Sequence, residues 1–263
     1  MIGKVQPPSA KVIVHSMQSK NIFEIIVPID SDNQVEYTGS TEVAGVPGTG
    51  SSIIVNSLNP SGSQFKKGLW ITSNIVDIIL GIRVTCIDCV RALIIVQASD
   101  FNMSGKESKS DLDANAGLMQ QLESLRLAAG EKMGLGDCSN KASPKLCIVS
   151  ESHQADIHAL YFVAPYERDT HPTIAMTAAQ ALAVACLEAT SVPGSITRKK
   201  CESSNNYVTI SHAKGVVKIL VQVSSTSGST TIHDANVIVT GYERTVRPIL
   251  SGLSYPQLSP INI

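Results

Sequence analysis

Residues 175–187 of the chain read Ala175-Met176-Thr177-Ala178-Ala179-Gln180-Ala181-Leu182-Ala183-Val184-Ala185-Cys186-Leu187. Alanine and leucine are strong helix formers, so this stretch predicts a helix, which we place between residues 173 and 190. Its apolar residues occur almost all the way round instead of along one stripe, and a helix of that kind is buried on every side. Other elements must therefore surround this helix, which we expect to end at Val192-Pro193-Gly194.

The chain on either side of this helix has the pattern of β-strands. Short runs of β-branched residues alternate with clusters of Gly, Pro, Asn, Asp and Ser, which is typical of strands and turns. Up to residue 100 nearly every segment is of this kind, and similar runs follow the helix. The predicted strands cover residues 11–16, 22–29, 53–55, 82–87, 92–98, 144–149, 159–164, 207–211, 216–223 and 236–242.

A second helix is predicted from Ser110 to Gly134. Ser110 is a candidate N-cap that acidic residues follow, and leucines recur along one face of the segment. Because helices and strands do not alternate along the chain, the sequence does not predict a doubly wound sheet. It predicts an α+β fold in which a β-barrel-like sheet closes around the central helix.

The composition restricts the possible ligands. With 263 residues, 43% of them hydrophobic and 16% charged, the chain can bury a core and form one large domain or two small ones. The net charge is -1 and the Lys and Arg residues are scattered, so we expect no nucleic-acid partner. Aromatic residues make up only 4%, which leaves little for stacking a base or a flat cofactor. A small polar ligand fits this composition best.

The sequence also predicts the compartment. No apolar run approaches the roughly 20 residues that a membrane span needs, and the polar first residues contain no signal-peptide core. We therefore expect a cytoplasmic protein without a membrane partner, whose six cysteines are thiols. The motif Cys86-Ile87-Asp88-Cys89 has no second pair and no histidine at ligand spacing, so no metal site is predicted.

Three loops are candidates for binding a small anion. The first, Gly45-Val46-Pro47-Gly48-Thr49-Gly50, allows backbone N–H groups to approach an oxygen closely, and Gly48, Thr49 and Gly50 are its candidate donors. It lacks the Lys-Ser/Thr pair of a P-loop, and no helix follows it as a dinucleotide fingerprint requires. An ordinary tight turn between two strands explains the same residues.

The second candidate is the beginning of the central helix, after Thr170-His171-Pro172-Thr173. Free N–H groups and the positive dipole end of a helix favour an anion, so Met176, Thr177 and Ala178 are candidate donors, with His171 nearby. In the alternative interpretation, Thr170 or Thr173 caps the helix and His171 lies on the surface.

The third candidate is Ser211-His212-Ala213-Lys214-Gly215, which lies between two predicted strands. It brings a histidine and a cation, His212 and Lys214, next to a glycine that permits a tight turn. Turns between strands often carry such residues without binding a ligand. This loop alone therefore does not decide the function.

In their order and spacing, these loops and the stretches between them resemble the PrpF-type isomerases. That family includes methylaconitate cis-trans isomerase, methylitaconate delta-isomerase and fungal aconitate delta-isomerases. Each matching stretch is weak by itself, and the resemblance depends on the whole pattern. The matching stretches are residues 45–50, 125–134, 144–149, 171–194, 211–215 and 241–246.

The resemblance implies the fold of diaminopimelate epimerase, in which two related domains each wrap a β-barrel-like sheet around one central helix. The active site would lie in the cleft between the two helix N-termini. The resemblance also implies chemistry without a cofactor, in which a proton is removed from a small unsaturated di- or tricarboxylate and returned at another carbon. Cys or Lys side chains are the acid and base expected for the family, and the three loops here would bind carboxylate.

The chain departs from the family pattern at its beginning. The family's N-terminal domain, with a glycine-rich signature and the main acid and base candidates, has no counterpart before Met1. We expect residues 1–40 to be the last strands of that domain, residues 41–247 to be the complete C-terminal domain, and residues 248–263 to be an irregular tail. The catalytic residues stay unassigned, and the first strands are expected to lack partners, which favours a homo-oligomer.

Two other functions stay open. The chain could be a non-catalytic remnant or carboxylate-binding module that kept the fold and lost the chemistry. It could also be an amino-acid epimerase or racemase. Such an enzyme would need a paired Cys at the start of the central helix, where Met176-Thr177 stands instead.

Overall fold

The computed structural model describes residues 2–6, 8–17, 19–164, 169–197, 199–224, 232 and 237–253. Within these ranges the helices are α1 (Lys109–Ala114), α2 (Ala116–Lys132), α3 (Met176–Cys186) and α4 (Val192–Ile196). The strands are β1 (Ile2–Gln6), β2 (Ser9–His15), β3 (Ile22–Pro28), β4 (Thr41–Glu42), β5 (Thr49–Gly50), β6 (Ile53–Leu58), β7 (Asp77–Ile79), β8 (Ile82–Cys89), β9 (Arg91–Gln97), β10 (Lys145–Ser150), β11 (Ile157–Ala164), β12 (Asp169–His171), β13 (Asn205–His212), β14 (Gly215–Val223) and β15 (Val237–Arg244).

One large sheet dominates the fold. Its strand order is β1-β2-β3-β6-β15-β14-β13-β11-β10-β9-β8-β7, with β12 paired to β11, while β4 and β5 form a separate hairpin. Helix α3 packs against β8 and β9 near one end of the sheet and against β13, β14 and β15 further along it. The sheet must therefore curl around α3. This is the β-barrel-like arrangement around a central helix that the sequence predicts.

Two hydrophobic cores lie on the two faces of the sheet. In β9, Leu93 and Ile95 belong to the core around α3, whereas Ile94 and Val96 belong to a second core. Leucines of α2, including Leu122, cover that second face. Because both faces of this strand are buried, its sequence is a continuous apolar run instead of an alternating one.

Helix α3 is buried as predicted. Residues 178–186 have no exposed surface. Gln180 is the polar side chain among them, and both ends of its amide are satisfied. Its Nε2 donates to the carbonyl of Met176 at 3.2 Å, and its Oε1 accepts the hydroxyl of Thr240 in β15 at 2.6 Å. These bonds fix the first turn of the helix against the sheet.

The beginning of α3 has no side-chain cap. Its N-cap residue is Ala175. Thr170 lies in β12, and Thr173 contacts His171. The alternative interpretation in which Thr170 or Thr173 caps the helix is therefore wrong.

The end of α3 also differs from the prediction. The helix ends at Cys186, and Val192-Pro193-Gly194 begins the separate helix α4 instead of closing α3. Ser191 explains the break, because its hydroxyl accepts the N–H of Gly194 at 2.9 Å and donates to the carbonyl of Ala185 at 2.6 Å. One side chain thus ends one helix and begins the next.

The second predicted helix is in fact two helices. The N-cap of α1 is Ser108, not Ser110, because Ser108 and Asp111 form a reciprocal capping box. Asn115 interrupts the segment and caps α2, since its side chain accepts the N–H of Leu118 at 3.0 Å. Asparagine side chains offer the backbone such an alternative partner, which accounts for the break.

Strands β2 and β3 are paired on both sides within the sheet, and β1 forms one of its edges. The predicted hairpin at residues 11–29 is confirmed, but the expectation that its strands lack partners is wrong. β2 pairs with β1 on one side, and β3 pairs with β6 on the other. The side chains of β3 are nevertheless only half-buried on both faces.

Some predictions fall outside the described residues. They concern the loop at 225–230, residue 236 at the start of the last strand, and the tail from residue 254. Residues 248–253 of the tail contain neither helix nor strand, as expected. Among the helices described above, none has the length and apolar character to span a membrane.

Candidate functional site

A cleft of about 350 Å³ lies at the N-terminal end of α3. The segment that leads into the helix lines it with Thr173, Ile174 and Met176. His212 lines it from the end of β13, and Arg244 lines it from the end of β15. The volume suits a small ligand.

The first turn of α3 leaves backbone donors available at this cleft. The N–H groups of Ala178 and Ala179 both donate to the carbonyl of Ala175 at 2.9 Å. Within the described residues, the N–H groups of Met176 and Thr177 have no protein partner. Two of the three predicted donors are therefore free, and Ala178 is not. Free N–H groups and the helix dipole together favour a negatively charged group here.

His212 is nearly buried, with 6% of its surface exposed. Its Nδ1 accepts the backbone N–H of Lys214 at 3.1 Å. Burial lowers the pKa of His212, and the nearby charges of His158 and His171 lower it further. The imidazole is therefore neutral at physiological pH.

His171 lies at the end of β12 and is half-buried, so it is not the surface residue of the alternative interpretation. Its ring packs edge-on against Tyr161, with 5.8 Å between ring centroids. Its Nδ1 accepts the backbone N–H of Thr173 at 3.1 Å and also contacts the Thr173 hydroxyl at 3.1 Å. His171 does not line the cleft itself. It holds Thr173, which does.

The glycine loop is the turn of the β4–β5 hairpin and borders the cleft. Gly45 packs beside Lys214, which brings the first and third predicted loops together. Gly48 lies beside Arg247, whose guanidinium donates to the carbonyl of Pro47. Gly50 instead packs against Thr245 and the carbonyl of Tyr37, away from the cleft.

A second cavity of about 370 Å³ adjoins the cleft along this loop. Gly45 and Gly48 line it. It shares Glu42, Val43 and Ala44 with the cleft. The glycine loop therefore faces open space, although Thr49 is exposed in β5 and contributes to neither cavity.

Charges of both signs line the cleft. Arg244 lies over the ring of Tyr242 at 5.5 Å, and Lys218 lies over the ring of Tyr207 at 4.3 Å. Burial raises the pKa of Tyr242, so its hydroxyl keeps its proton at neutral pH. The carboxylates of the cleft are Glu42 and Glu243. Because the signs balance, net charge alone does not select a ligand at this cleft.

The cysteines are not part of the cleft. All six are free thiols, and Cys86 and Cys89 of the CxxC motif belong to the two different cores. Burial raises the pKa of Cys86 to about 12, and it also raises the pKa of Cys147 and of Cys186. In the part of the chain that the structure describes, no group of three or more His, Cys, Asp or Glu side chains could hold a metal ion.

Comparison with known proteins decides the family. The family model described as PrpF protein matches residues 1–257. The chain belongs to the PrpF family. YbhH of Escherichia coli (strain K12) is 31% identical to it over 249 residues, which are 94% of this chain and 67% of YbhH. The (4E)-oxalomesaconate Delta-isomerase of Novosphingobium sp. (strain KA1) is 30% identical over 224 residues, which are 84% of this chain and 58% of that enzyme.

A solved structure confirms the fold. The crystal structure of methylitaconate-delta-isomerase superposes with a TM-score of 0.74 at 21% sequence identity, covering 97% of this chain and 71% of the other. The α+β fold of the diaminopimelate-epimerase type is thus confirmed. The chain spans about two thirds of the length of YbhH, and less of the oxalomesaconate isomerase.

The predicted PrpF-type binding residues do not all lie at the cleft. Met176 and His212 line it, the N–H of Thr177 is free beside it, and His171 and Lys214 flank it. Sequence reasoning missed Lys218, Tyr242 and Arg244 as lining residues. Tyr242 and Arg244 fall in the 241–246 stretch that carries the family resemblance. That resemblance was the sequence signal that could have identified them as site residues.

Proposed function

We propose that this chain supplies the carboxylate-binding part of a cofactor-independent isomerase. Its substrate would be a small unsaturated di- or tricarboxylate of the aconitate, methylaconitate or methylitaconate type. Two PrpF-family relatives support this class, because their names give oxalomesaconate and methylitaconate as substrates. The observation that carries the proposal is the uncapped N-terminus of α3, which opens into a cleft beside His212.

The reaction would shift a double bond by moving one proton. A base removes a proton from a carbon next to a carboxylate, and the electron pair delocalises into the neighbouring double bond and the carboxylate. An acid then returns a proton at the other end of the three-carbon unit. The free N–H groups of Met176 and Thr177 would stabilise the charge that accumulates on the carboxylate oxygens.

We propose that the acid and the base come from outside the described cleft. Cys or Lys side chains are expected for these roles. Burial raises the pKa of Cys147 and of Cys186, and neither lines the cleft. Lys218 does line it, but its ammonium group lies over the ring of Tyr207. In this proposal residues 1–40 belong to one domain and residues 41–247 to the other. The catalytic groups would then lie on the part of the longer relatives that has no counterpart here.

The test is proton NMR in deuterium oxide with 3-methylitaconate and trans-aconitate. It compares this chain with a chimaera that adds the part of YbhH lacking a counterpart here. We expect deuterium uptake and isomer formation only in the chimaera. Turnover by the chain alone would refute the proposal that the acid and the base lie outside it. Inactivity of a folded chimaera toward both acids would instead favour a non-catalytic carboxylate-binding module.

An amino-acid racemase or epimerase receives no support from the site, because the first turn of α3 carries Met176 and Thr177 where a thiol would be needed. We further propose a cytoplasmic location and no nucleic-acid partner. The six free thiols and the scattered basic residues support this part of the proposal.

A further inference from the structure

His212 combines three properties that no other histidine of the described chain combines. It lines the cleft, it is nearly buried, and one of its ring nitrogens has a fixed partner. The fixed partner is the backbone N–H of Lys214, which lies 3.1 Å from Nδ1. A backbone N–H can only donate, so Nδ1 must be the unprotonated nitrogen of the ring. The proton of the neutral imidazole then resides on Nε2.

The Nε2–H group has no partner among the described residues. It lies on the opposite side of the ring from Nδ1, in a residue that is 94% covered by protein. This nitrogen is not one of the buried polar atoms that lack a partner, so it opens to the cleft, where it can donate to a bound oxygen. An unpaired N–H at the wall of a cleft therefore points to a ligand with an acceptor oxygen.

From this geometry we propose that His212 is a neutral Nε2–H donor to a substrate carboxylate and is not the base that removes the substrate proton. The inference rests on the proposed function and deepens it. To act as a base, Nε2 would have to lose its proton, and that proton would have to occupy Nδ1. Two donors, Nδ1–H and the Lys214 N–H, would then face each other across 3.1 Å. The same conflict opposes protonation to the imidazolium.

The surrounding charges agree with a neutral ring. Positive groups flank it on several elements, and the acidic groups of the cleft do not hydrogen-bond to it. Burial is the main cause that lowers the pKa of His212. The titratable and charged groups around it are Glu42 on β4, His158 on β11, His171 on β12, Tyr207 on β13, Lys214 in the turn after β13, Lys218 on β14, and Tyr242, Glu243 and Arg244 on β15.

His171 provides an internal comparison. Its Nδ1 also accepts a backbone N–H from two residues further along the chain, that of Thr173. His171 lies outside the cleft, however. Its ring should therefore have the same Nε2–H tautomer, but its Nε2–H should not contact the ligand.

The first test is a long-range ¹⁵N–¹H correlation spectrum of the histidine rings, without ligand, as a function of pH. Assignment uses His212→Gln and His171→Gln. We expect an acceptor-type Nδ1 and a protonated Nε2 for His212, and we expect this neutral tautomer to persist below about pH 6.5, the ordinary pKa of an imidazole. A protonated Nδ1 in neutral His212 would overturn the proposal.

The second test measures calorimetric binding of tricarballylate, an unreactive tricarboxylate. The side-chain amide of Gln can replace His212 as an N–H donor. The ionised carboxylate of Glu only accepts hydrogen bonds, so it could replace His212 only as a base. We expect His212→Gln to stay within about threefold of the parent and His212→Ala to weaken binding about tenfold or more, as for one hydrogen bond to a charged group. His212→Glu should weaken binding further.

Glu binding better than Gln would refute the donor role. If the parent binds no tricarballylate, the proposed function fails at this site, and the ring spectrum still decides the tautomer. The two failures are therefore distinguishable.

Discussion

Gln180 shows how one polar side chain can be accommodated in a buried helix. It has no exposed surface, and its amide connects the first turn of α3 to Thr240 on β15. Both ends of the amide are satisfied, so its burial costs little. Because its Nε2 contacts the carbonyl of Met176, Gln180 also orients the turn that carries the free donors.

Replacing Gln180 by Leu should destabilise the chain by about 1–3 kcal/mol, because the buried hydroxyl of Thr240 loses its partner. The double variant Gln180→Leu with Thr240→Val removes both polar groups and should recover part of that loss. Urea unfolding of the two single variants and the double variant measures the coupling. Strictly additive losses would contradict the direct contact.

The pH dependence of stability should report His212. Its pKa is lowered in the folded chain, so the unfolded chain binds that proton more readily. The stability from neutral His212 is therefore present above about pH 6.5, the unfolded value, and is lost as pH falls toward the folded pKa. The His212→Gln variant has no such group and does not lose this stability. As pH falls from about 7.5 to about 5.5, its free energy of unfolding should therefore rise relative to that of the parent. Urea unfolding measures the difference in unfolding free energy between the variant and the parent. If that difference does not change with pH, His212 does not cause the pH dependence.

Single residues of the site were only partly predictable from sequence. His212 and Met176 belong to recognisable stretches of sequence, so they could be chosen as candidates from glycine-turn and helix-terminus rules, and both line the cleft. Lys218 and Arg244 reach the same cleft from strands whose register the sequence does not specify. Gly50 lies away from the cleft because it packs against Thr245, a contact that local sequence cannot predict.

At the scale of elements, the uncapped N-terminus of α3 is the central feature. Most helix N-termini in proteins carry a Ser, Thr, Asp or Asn that occupies the free N–H groups. Here Ala175 leaves them open toward the cleft. The absence of a cap lowers the stability of the helix and keeps the donors available for a ligand.

Ala175→Asp should therefore stabilise the chain by about 1 kcal/mol, because a carboxylate caps the helix. It should also weaken tricarballylate binding about tenfold or more, since the same donors are taken and a like charge is added. Ala175→Asn is the matched neutral control and should weaken binding less. Thermal unfolding and calorimetry give the two quantities, and unchanged affinity in Ala175→Asp would show that the helix end does not bind carboxylate.

Helix α4 should tolerate no side chain at Gly194. A Cβ placed there would lie 1.8 Å from the carbonyl oxygen of Glu188. Gly194→Ala should destabilise the chain by several kcal/mol, the range seen when a core is overpacked. Gly117→Ala, at an open position in α2, is the control and should stabilise by about 0.5–1 kcal/mol. Equal stabilities of the two variants in urea would contradict the close approach.

The elements themselves were largely predictable. Burial of α3 follows from its apolar residues on all sides, and the strands follow from β-branched runs. The breaks at Asn115 and Ser191 were missed, because their side chains compete for backbone groups only in the folded geometry. Element ends therefore need the structure, although element types do not.

At the scale of the whole molecule, the inner face of the sheet extends beyond α3. Val12, Ile25, Val55, Tyr242 and Ile219 are directly opposite one another on successive strands, so they share one face. Ile219 is fully buried in the core around α3. Val12 and Ile25, at the other end of this row, are only half-buried. The described residues therefore cover this end of the face only in part.

Such a face should cause self-association. The double variant Val12→Glu with Ile25→Glu should shift the chain toward monomer in sedimentation equilibrium, whereas Met17→Glu, in an exposed turn, should have no effect. A parent chain that is monomeric at all concentrations would contradict this prediction. In that case the half-buried face would not need a partner.

The overall architecture was predicted because a helix without a polar face leaves few alternatives to a surrounding sheet. The pairing of the first strands was not, because strand order depends on contacts between β3 and β6 that are distant in sequence. Whether residues 1–40 and residues 41–247 are separate domains stays a prediction, since their strands share one sheet.

The most direct test of carboxylate binding at the α3 cleft is a titration of the ¹⁵N-labelled chain with tricarballylate, followed through its backbone amide signals. We predict saturable shifts that are largest at Met176 and Thr177, with smaller shifts at Ala178, whose N–H is already bonded to Ala175. Saturable shifts confined to other parts of the chain, or no shifts at all, would contradict the account.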